Sequence, residues 1–123
     1  MKILAIETAT EACSAALEID NSCMYRHEIA PRKHTELILP MIDSLLKEAD
    51  IKVNSLDVIA LGCGPGAFTG VRIAIGIAQG LAFPFDIPVI PVSTLAALAQ
   101  QFSKDYNYVA TAIDARMKEI YWG

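Results

Sequence analysis

The sequence is short of the residues that build most metal and disulfide sites. Cysteine occurs three times in 123 residues, as Cys13, Cys23 and Cys63, and never as a CxxC pair. An odd number of widely spaced cysteines argues against a zinc site or a disulfide framework and is typical of free thiols in a reducing compartment. Histidine occurs twice, and the position four after His34, where a helical metal pair needs its second histidine, is Ile38. No metal site is predicted.

Grouped basic residues and a targeting segment are also missing. The net charge is −4 and the 10 Lys and Arg residues form no cluster, so a direct electrostatic grip on nucleic acid is not expected. An acidic residue within the first apolar run argues against a signal peptide. Pro84, Asp86 and Pro88 interrupt the most apolar stretch, so no membrane span is predicted. A cytoplasmic location follows by default.

Apolar residues, by contrast, are abundant. The composition is 54% hydrophobic and 20% charged, which is rich for a free-standing domain of one core. This excess predicts an apolar face that meets another chain or a missing second half. The last predicted strand stops at Gly123 in what reads as the middle of a hairpin, so we expect a fragment.

The order of apolar runs and turn residues predicts an α/β fold. Residues 2–7, 12–19 and 22–29 read as an antiparallel three-stranded meander. Helices and strands then alternate: helices 34–49 (capped by Thr35), 70–83 (capped by Thr69) and 94–102 (capped by Ser93), and strands 56–61, 88–92, 108–114 and 118–122. A mixed sheet with helices on its faces results.

Two of these helices carry more apolar surface than one sheet requires. Helix 34–49 has a broad stripe at three- and four-residue spacing. Helix 70–83 has one charged residue, Arg72, and contains Gly76 and Gly80. Each interior glycine costs roughly 1 kcal/mol relative to alanine, so close approach by another backbone is the expected compensation.

A glycine-rich turn, residues 62–70, joins a strand to a helix, where α/β proteins often hold a phosphate. It lacks Gly-Lys-Ser/Thr, contains Pro65, and no acidic residue ends the following strand. Two interpretations stay open: a tight turn that needs glycine for its backbone, and a residual phosphate site. The candidate phosphate contacts are Thr8, Thr10, Gly64, Gly66 and Thr69.

The turn after the first strand is the other polar cluster. Glu7 there could hold a metal-bound water while Thr8 and Thr10 contact a phosphate, but threonine is also common in ordinary hairpin turns, and the second reading is favoured. No G-x-S-x-G motif is present, and neither histidine has a recognisable nucleophile partner. The sequence predicts no catalytic constellation.

Five segments together resemble the N-terminal half of the bacterial TsaB (YeaZ) family: ILAIETATEACSAAL, RKHTELILPMIDSLL, GCGPGAFTGVRIAIGIAQGLA, IPVIPVSTLAALA and AIDARMKEIYWG. The resemblance implies an actin-like, ribonuclease-H-like fold in which residues 1–123 form a single N-terminal subdomain without its second subdomain. It also implies a non-catalytic scaffold or activator in the synthesis of threonylcarbamoyladenosine at tRNA adenosine 37.

The resemblance also implies partners. The family pairs through its first two helices, with a TsaD-like catalytic subunit or as a homodimer in isolation, a TsaE-like ATPase joins the complex, and tRNA is contacted only indirectly. The implied interface residues are His34, Leu37, Ile38, Met41, Leu45, Ile73, Ala74 and Ile77.

TsaD carries two metal-binding histidines on its first helix, and here His34 matches the first while Ile38 replaces the second. No cofactor is expected beyond a weak ATP or ADP contact. The alternative is an actin-like ATPase or phosphotransferase that uses Glu7, or a metal-dependent glycoprotease-like enzyme.

Overall fold

A computed structural model describes all residues from Met1 to Gly123. The meander forms with the predicted bounds: β1 (Lys2–Glu7), β2 (Ala12–Ile19) and β3 (Ser22–Ile29). Apolar and polar residues alternate along these strands, so one face of the sheet is turned to the core. Leu4 on β1, for example, lies opposite Leu17 on β2, and both are buried. Asp20 and Asn21 adopt positive φ in the tight turn between β2 and β3.

The sheet continues from β1 to two parallel strands, β4 (Val58–Gly62) and β5 (Val89–Val92), in the order β3-β2-β1-β4-β5. The helices are α1 (His34–Glu48), α2 (Phe68–Ala82) and α3 (Thr94–Gln100), with 3-10 turns at Val53–Ser55 and Phe83–Phe85. The predicted α/β class, with an antiparallel start and a mixed sheet, is confirmed.

One core lies between the sheet and the first two helices. Ile38, Ile42 and Leu45 of α1 are buried in it. The buried residues of α2 are all small and four apart, namely Gly70, Ala74, Ala78 and Ala82. Small side chains on that stripe bring the axis of α2 close to the sheet.

Two predicted helix caps are wrong. α1 follows Lys33 and α2 follows Ala67, and neither start has a side-chain cap, so Thr35 and Thr69 do not cap. Contacts between each helix start and the β1–β2 turn, described below, determine where these helices begin. The Ser93 cap of α3 is confirmed, since its side chain accepts a hydrogen bond from the Ala96 N–H.

The predicted strand 108–114 is displaced along the chain. The strand is β6 (Ala112–Arg116), and it pairs with β7 (Glu119–Trp122) in a separate two-stranded antiparallel sheet. Backbone hydrogen bonds of 2.9 and 3.0 Å join Thr111 to Gly123 and close this hairpin. Residues before Thr111 find no strand to pair with, and Tyr108 is 94% exposed.

The sequence predicts that Pro84 ends the apolar stretch before it reaches membrane-spanning length, and the structure contradicts this. The 3-10 turn continues α2 through Pro84, so Phe68–Phe85 is an 18-residue segment that is long and apolar enough, by length and composition alone, to cross a bilayer. Core helices of soluble proteins meet the same criterion, and the small-residue stripe of α2 packs on the sheet.

Candidate functional site

The glycine turn lies beside the β1–β2 turn, because β4 and β1 are parallel neighbours and their carboxyl ends meet at one edge of the sheet. A side chain at Gly66 would lie 2.5 Å from the Ala9 carbonyl oxygen, and one at Gly70 would overlap the Thr8 carbonyl oxygen. Both glycines have ordinary negative φ, so close approach of two backbones is what they permit. This outcome favours the tight-turn interpretation.

Two hydrogen bonds clamp the β1–β2 turn to the start of α2. The Ala67 N–H donates to the Ala9 carbonyl at 2.7 Å, and the Thr8 hydroxyl donates to the Gly70 carbonyl at 2.6 Å. Thr8 has no exposed surface. Its hydroxyl proton is donated inside the chain, so Thr8 as a phosphate contact stays a prediction that this hydrogen bond does not favour.

His34 holds the same turn from the other side. Its Nε2 lies 2.7 Å from the Thr10 carbonyl oxygen and 3.2 Å from that of Ala12. Carbonyl oxygens only accept, so Nε2 carries the proton and donates to both. This nitrogen is therefore not free to bind a metal, and His34 is buried against its own chain.

Glu7 is the half-buried carboxylate at the end of β1, and Glu11 follows it in the β1–β2 turn. A side chain at Gly62 would overlap the Glu7 carboxylate, and Oε1 of Glu7 accepts the Ala9 N–H at 2.7 Å. Burial raises the pKa of Glu7, and hydrogen bonds from the Ala9 and Thr8 backbones oppose the rise. No cation forms an ion pair with it.

A groove of about 1500 Å³ opens between the β1–β2 turn, the start of α2 and the β6–β7 hairpin. All five predicted contacts border it, with Thr8 fully buried, so the structure brings them together: Thr8, Thr10, Gly64, Gly66 and Thr69. It contains no group of three or more metal-ligating side chains.

Three arginines of the groove escaped the sequence-based prediction. Arg32, Arg72 and Arg116 line it, and none forms an ion pair. The Arg72 guanidinium lies 3.9 Å from the centre of the Phe68 ring. The three come from distant parts of the chain, and only the topology places them on one groove.

Most of the implied interface residues serve the core of this chain. His34, Ile38, Met41, Leu45 and Ala74 are buried. Their assignment to a partner interface stays a prediction that this burial does not favour, because an amphipathic stripe first covers the sheet below it. Leu37, Ile73 and Ile77 are half-buried and retain exposed surface.

The outward face of α2 differs from its sheet-facing stripe. A side chain built at Gly76 or at Gly80 would meet no atom within 4 Å, in contrast to Gly70. Ile73 and Ile77 flank these glycines, and Phe83, just beyond the helix, is 89% exposed. The chain itself therefore gives no packing reason for glycine at either position.

Comparison with known proteins places the chain in a family. Residues 27–123 match the family model described as "TsaD: tRNA N6-adenosine threonylcarbamoyltransferase". The chain is 50% identical to the "tRNA threonylcarbamoyladenosine biosynthesis protein TsaB" of Haemophilus influenzae, over 99% of this chain and 52% of that protein. It is also 50% identical to the protein of the same name from Escherichia coli, over 99% of this chain and 54% of the relative.

A solved structure agrees with these matches. "YeaZ from Pseudomonas aeruginosa" superposes with a TM-score of 0.93 at 52% identity, and the match covers 99% of this chain and 58% of that one. The chain thus spans about half the length of the relatives it matches. The fold is the actin-like, ribonuclease-H-like one that the resemblance implies. The chain belongs to the TsaB/YeaZ family, within the wider family that the TsaD model describes.

Proposed function

We propose that residues 1–123 are the N-terminal subdomain of a non-catalytic subunit in tRNA threonylcarbamoyladenosine biosynthesis. The subunit binds and activates a TsaD-like catalytic partner in the cytoplasm, in a complex that a TsaE-like ATPase joins. The names of the curated relatives support the pathway. A net charge of −4 supports only indirect contact with tRNA.

The observation that carries this proposal is the pair of unexplained glycines on α2. Gly76 and Gly80 lie on the exposed side of the helix, where no atom of the chain approaches a built side chain. Each weakens the helix by roughly 0.5–1 kcal/mol relative to alanine. A partner helix that crosses closely over these two positions would offset that cost, because a residue without a side chain lets two helix backbones approach most closely.

Apolar side chains around the glycines would supply the rest of the contact. Ile73 and Ile77 flank them on α2, and Leu37 on α1 is likewise half-buried and keeps exposed surface. These half-exposed side chains would lose their remaining water contact when a helical partner binds. In the absence of the TsaD-like partner, a second copy of the subunit would occupy the same face.

The hydrogen bonds that Thr8 and His34 make within the chain support a non-catalytic role. The Thr8 hydroxyl and the Nε2 proton of His34 are both donated to backbone carbonyls. Ile38, at the position of the second histidine, is fully buried in the core. These groups serve the fold, which leaves them unavailable for phosphate binding or metal binding.

Replacement of Gly76 tests the proposal. In the full-length protein, Gly76→Leu is expected to weaken binding to a TsaD-like subunit at least tenfold, since a gap for a crossing helix becomes filled. Binding is measured by calorimetry, and self-association by sedimentation. Gln100→Leu places the same side chain on exposed α3 as a matched control. Equal affinities for the two variants would contradict the proposal.

The three unpaired arginines of the groove favour a second candidate, an actin-like ATPase or phosphotransferase with ATP or ADP held there. Such an enzyme would use Glu7, which is not among the residues that line the groove, to hold a metal-bound water. Nucleotide hydrolysis by the full-length protein, abolished in Glu7→Gln, is the result that would replace the first proposal with this one. We expect at most weak nucleotide binding and no turnover.

A further inference from the structure

We infer that the β1–β2 turn ties α1 to α2, and that His34 is a positioning residue for the face that these helices present to a partner. The inference rests on the proposed function for the identity of that face. Through its hydrogen bonds to the turn, the His34 side chain fixes the position of α1 relative to α2.

Residues 8–12 bridge the starts of the two helices. At one end, Thr8 and Ala9 are hydrogen-bonded to the first residues of α2, through the Gly70 carbonyl and the Ala67 N–H. At the other end, the carbonyls of Thr10 and Ala12 accept from His34 on the first turn of α1. A single short stretch of backbone is thus fixed to both helices.

Other links between the helices are sparse. α1 packs mainly on β2 and α2 mainly on β4, and the two helices make little direct contact. Arg26 of β3 holds the second half of α1 through Ser44 and Glu48, so residues 8–12 act on the start of this helix. His34 makes the only side-chain hydrogen bonds between α1 and residues 8–12.

The geometry of the His34 bond suits this role. The ring is buried and its Nε2–H is shared between two carbonyl oxygens, so this N–H has no other hydrogen-bond acceptor. Removing that donor leaves two partly buried acceptors without it and frees the start of α1. Leu37 would then shift relative to Ile73 and Ile77, and the partner would meet a face with altered spacing.

Three variants of the full-length protein separate positioning from general stability. His34→Leu removes the donor and keeps an apolar side chain of similar size. His34→Gln places an amide N–H near the position of Nε2. Ile42→Val removes one methylene from the core side of α1 without touching residues 8–12 and serves as the destabilised control.

Affinity for the TsaD-like partner is measured where all variants are folded. We expect His34→Leu to bind about tenfold more weakly, as for loss of a buried hydrogen bond, with His34→Gln restoring most of the affinity and Ile42→Val unchanged. Amide exchange of residues 8–13 should rise in His34→Leu alone.

The outcomes are distinct. If the wild-type protein does not bind the partner, the proposed function fails. If it binds and His34→Leu binds equally well, or loses no more affinity than Ile42→Val, the inference is wrong.

Discussion

The glycines of this chain differ in whether a side chain at their position would fit. Gly66 and Gly70 give the β1–β2 turn room to reach the start of α2. Gly76 and Gly80 face open space and weaken the helix in which they lie. Alanine substitution therefore has opposite expected effects at positions that look alike in the sequence.

Gly70→Ala should destabilise the chain and Gly76→Ala should stabilise it. The first variant drives a methyl group into the Thr8 carbonyl and breaks the clamp, at a cost of about 1–3 kcal/mol. The second gains about 0.5–1 kcal/mol of helix propensity while its affinity for a partner falls. Urea denaturation measures the free energies of unfolding. A destabilised Gly76→Ala variant would contradict this account of α2.

Glu7 should make stability depend on pH in the mildly acidic range. Burial raises the folded-state pKa of Glu7 above its ordinary value of 4.5. Between these two pKa values the folded chain retains a proton that the unfolded chain has released, so the stabilising contribution is complete below pH 4.5 and is lost as pH rises through the folded-state pKa.

Glu7→Gln removes this titration and keeps an acceptor for the Ala9 N–H. We expect it to be more stable than the wild type at neutral pH, with the difference disappearing at acidic pH. Denaturation curves across the pH range measure this, and Glu36→Gln, at an exposed residue of α1, is the control. A wild type that instead gains stability through this window would show the assigned shift to be wrong.

At the level of elements, local pattern specified the meander and only part of the rest. The alternation in β1, β2 and β3 fixed their bounds because each residue faces either core or solvent. The starts of α1 and α2 depend on backbone contacts with residues 8–12, which no local pattern contains. Strand β6 likewise takes its position from its pairing with β7.

Of the three predicted helix caps, the structure confirms Ser93 at the start of α3, and its contribution to stability can be measured. Ser93→Ala removes the acceptor for the Ala96 N–H and should cost about 0.5–2 kcal/mol in this short helix. Ser93→Asp restores an acceptor and should recover most of the loss. Hydrogen exchange of α3 amides reports the change, and similar exchange in all three proteins would argue against the cap.

The whole molecule determines which polar residues share a site. Thr10, Gly64 and Thr69 were recognised because they lie in two conspicuous turns. Arg72 and Arg116 were not, since 44 residues separate them and the groove that unites them forms only when the β6–β7 hairpin lies beside α2. Five of the eight implied interface residues are buried in this chain, because sequence periodicity does not distinguish side chains that cover the sheet from those left for a partner.

Because Gly76 and Gly80 weaken α2, the lifetime of the protein should depend on whether a partner is bound. Copies of the subunit without a partner should open along α2 more often, since Gly76 and Gly80 are offset by nothing inside the chain. Proteases act on such opened forms, so surplus copies are expected to be degraded first. The two glycines would in this way match the amount of the subunit in the cell to the amount of its partner.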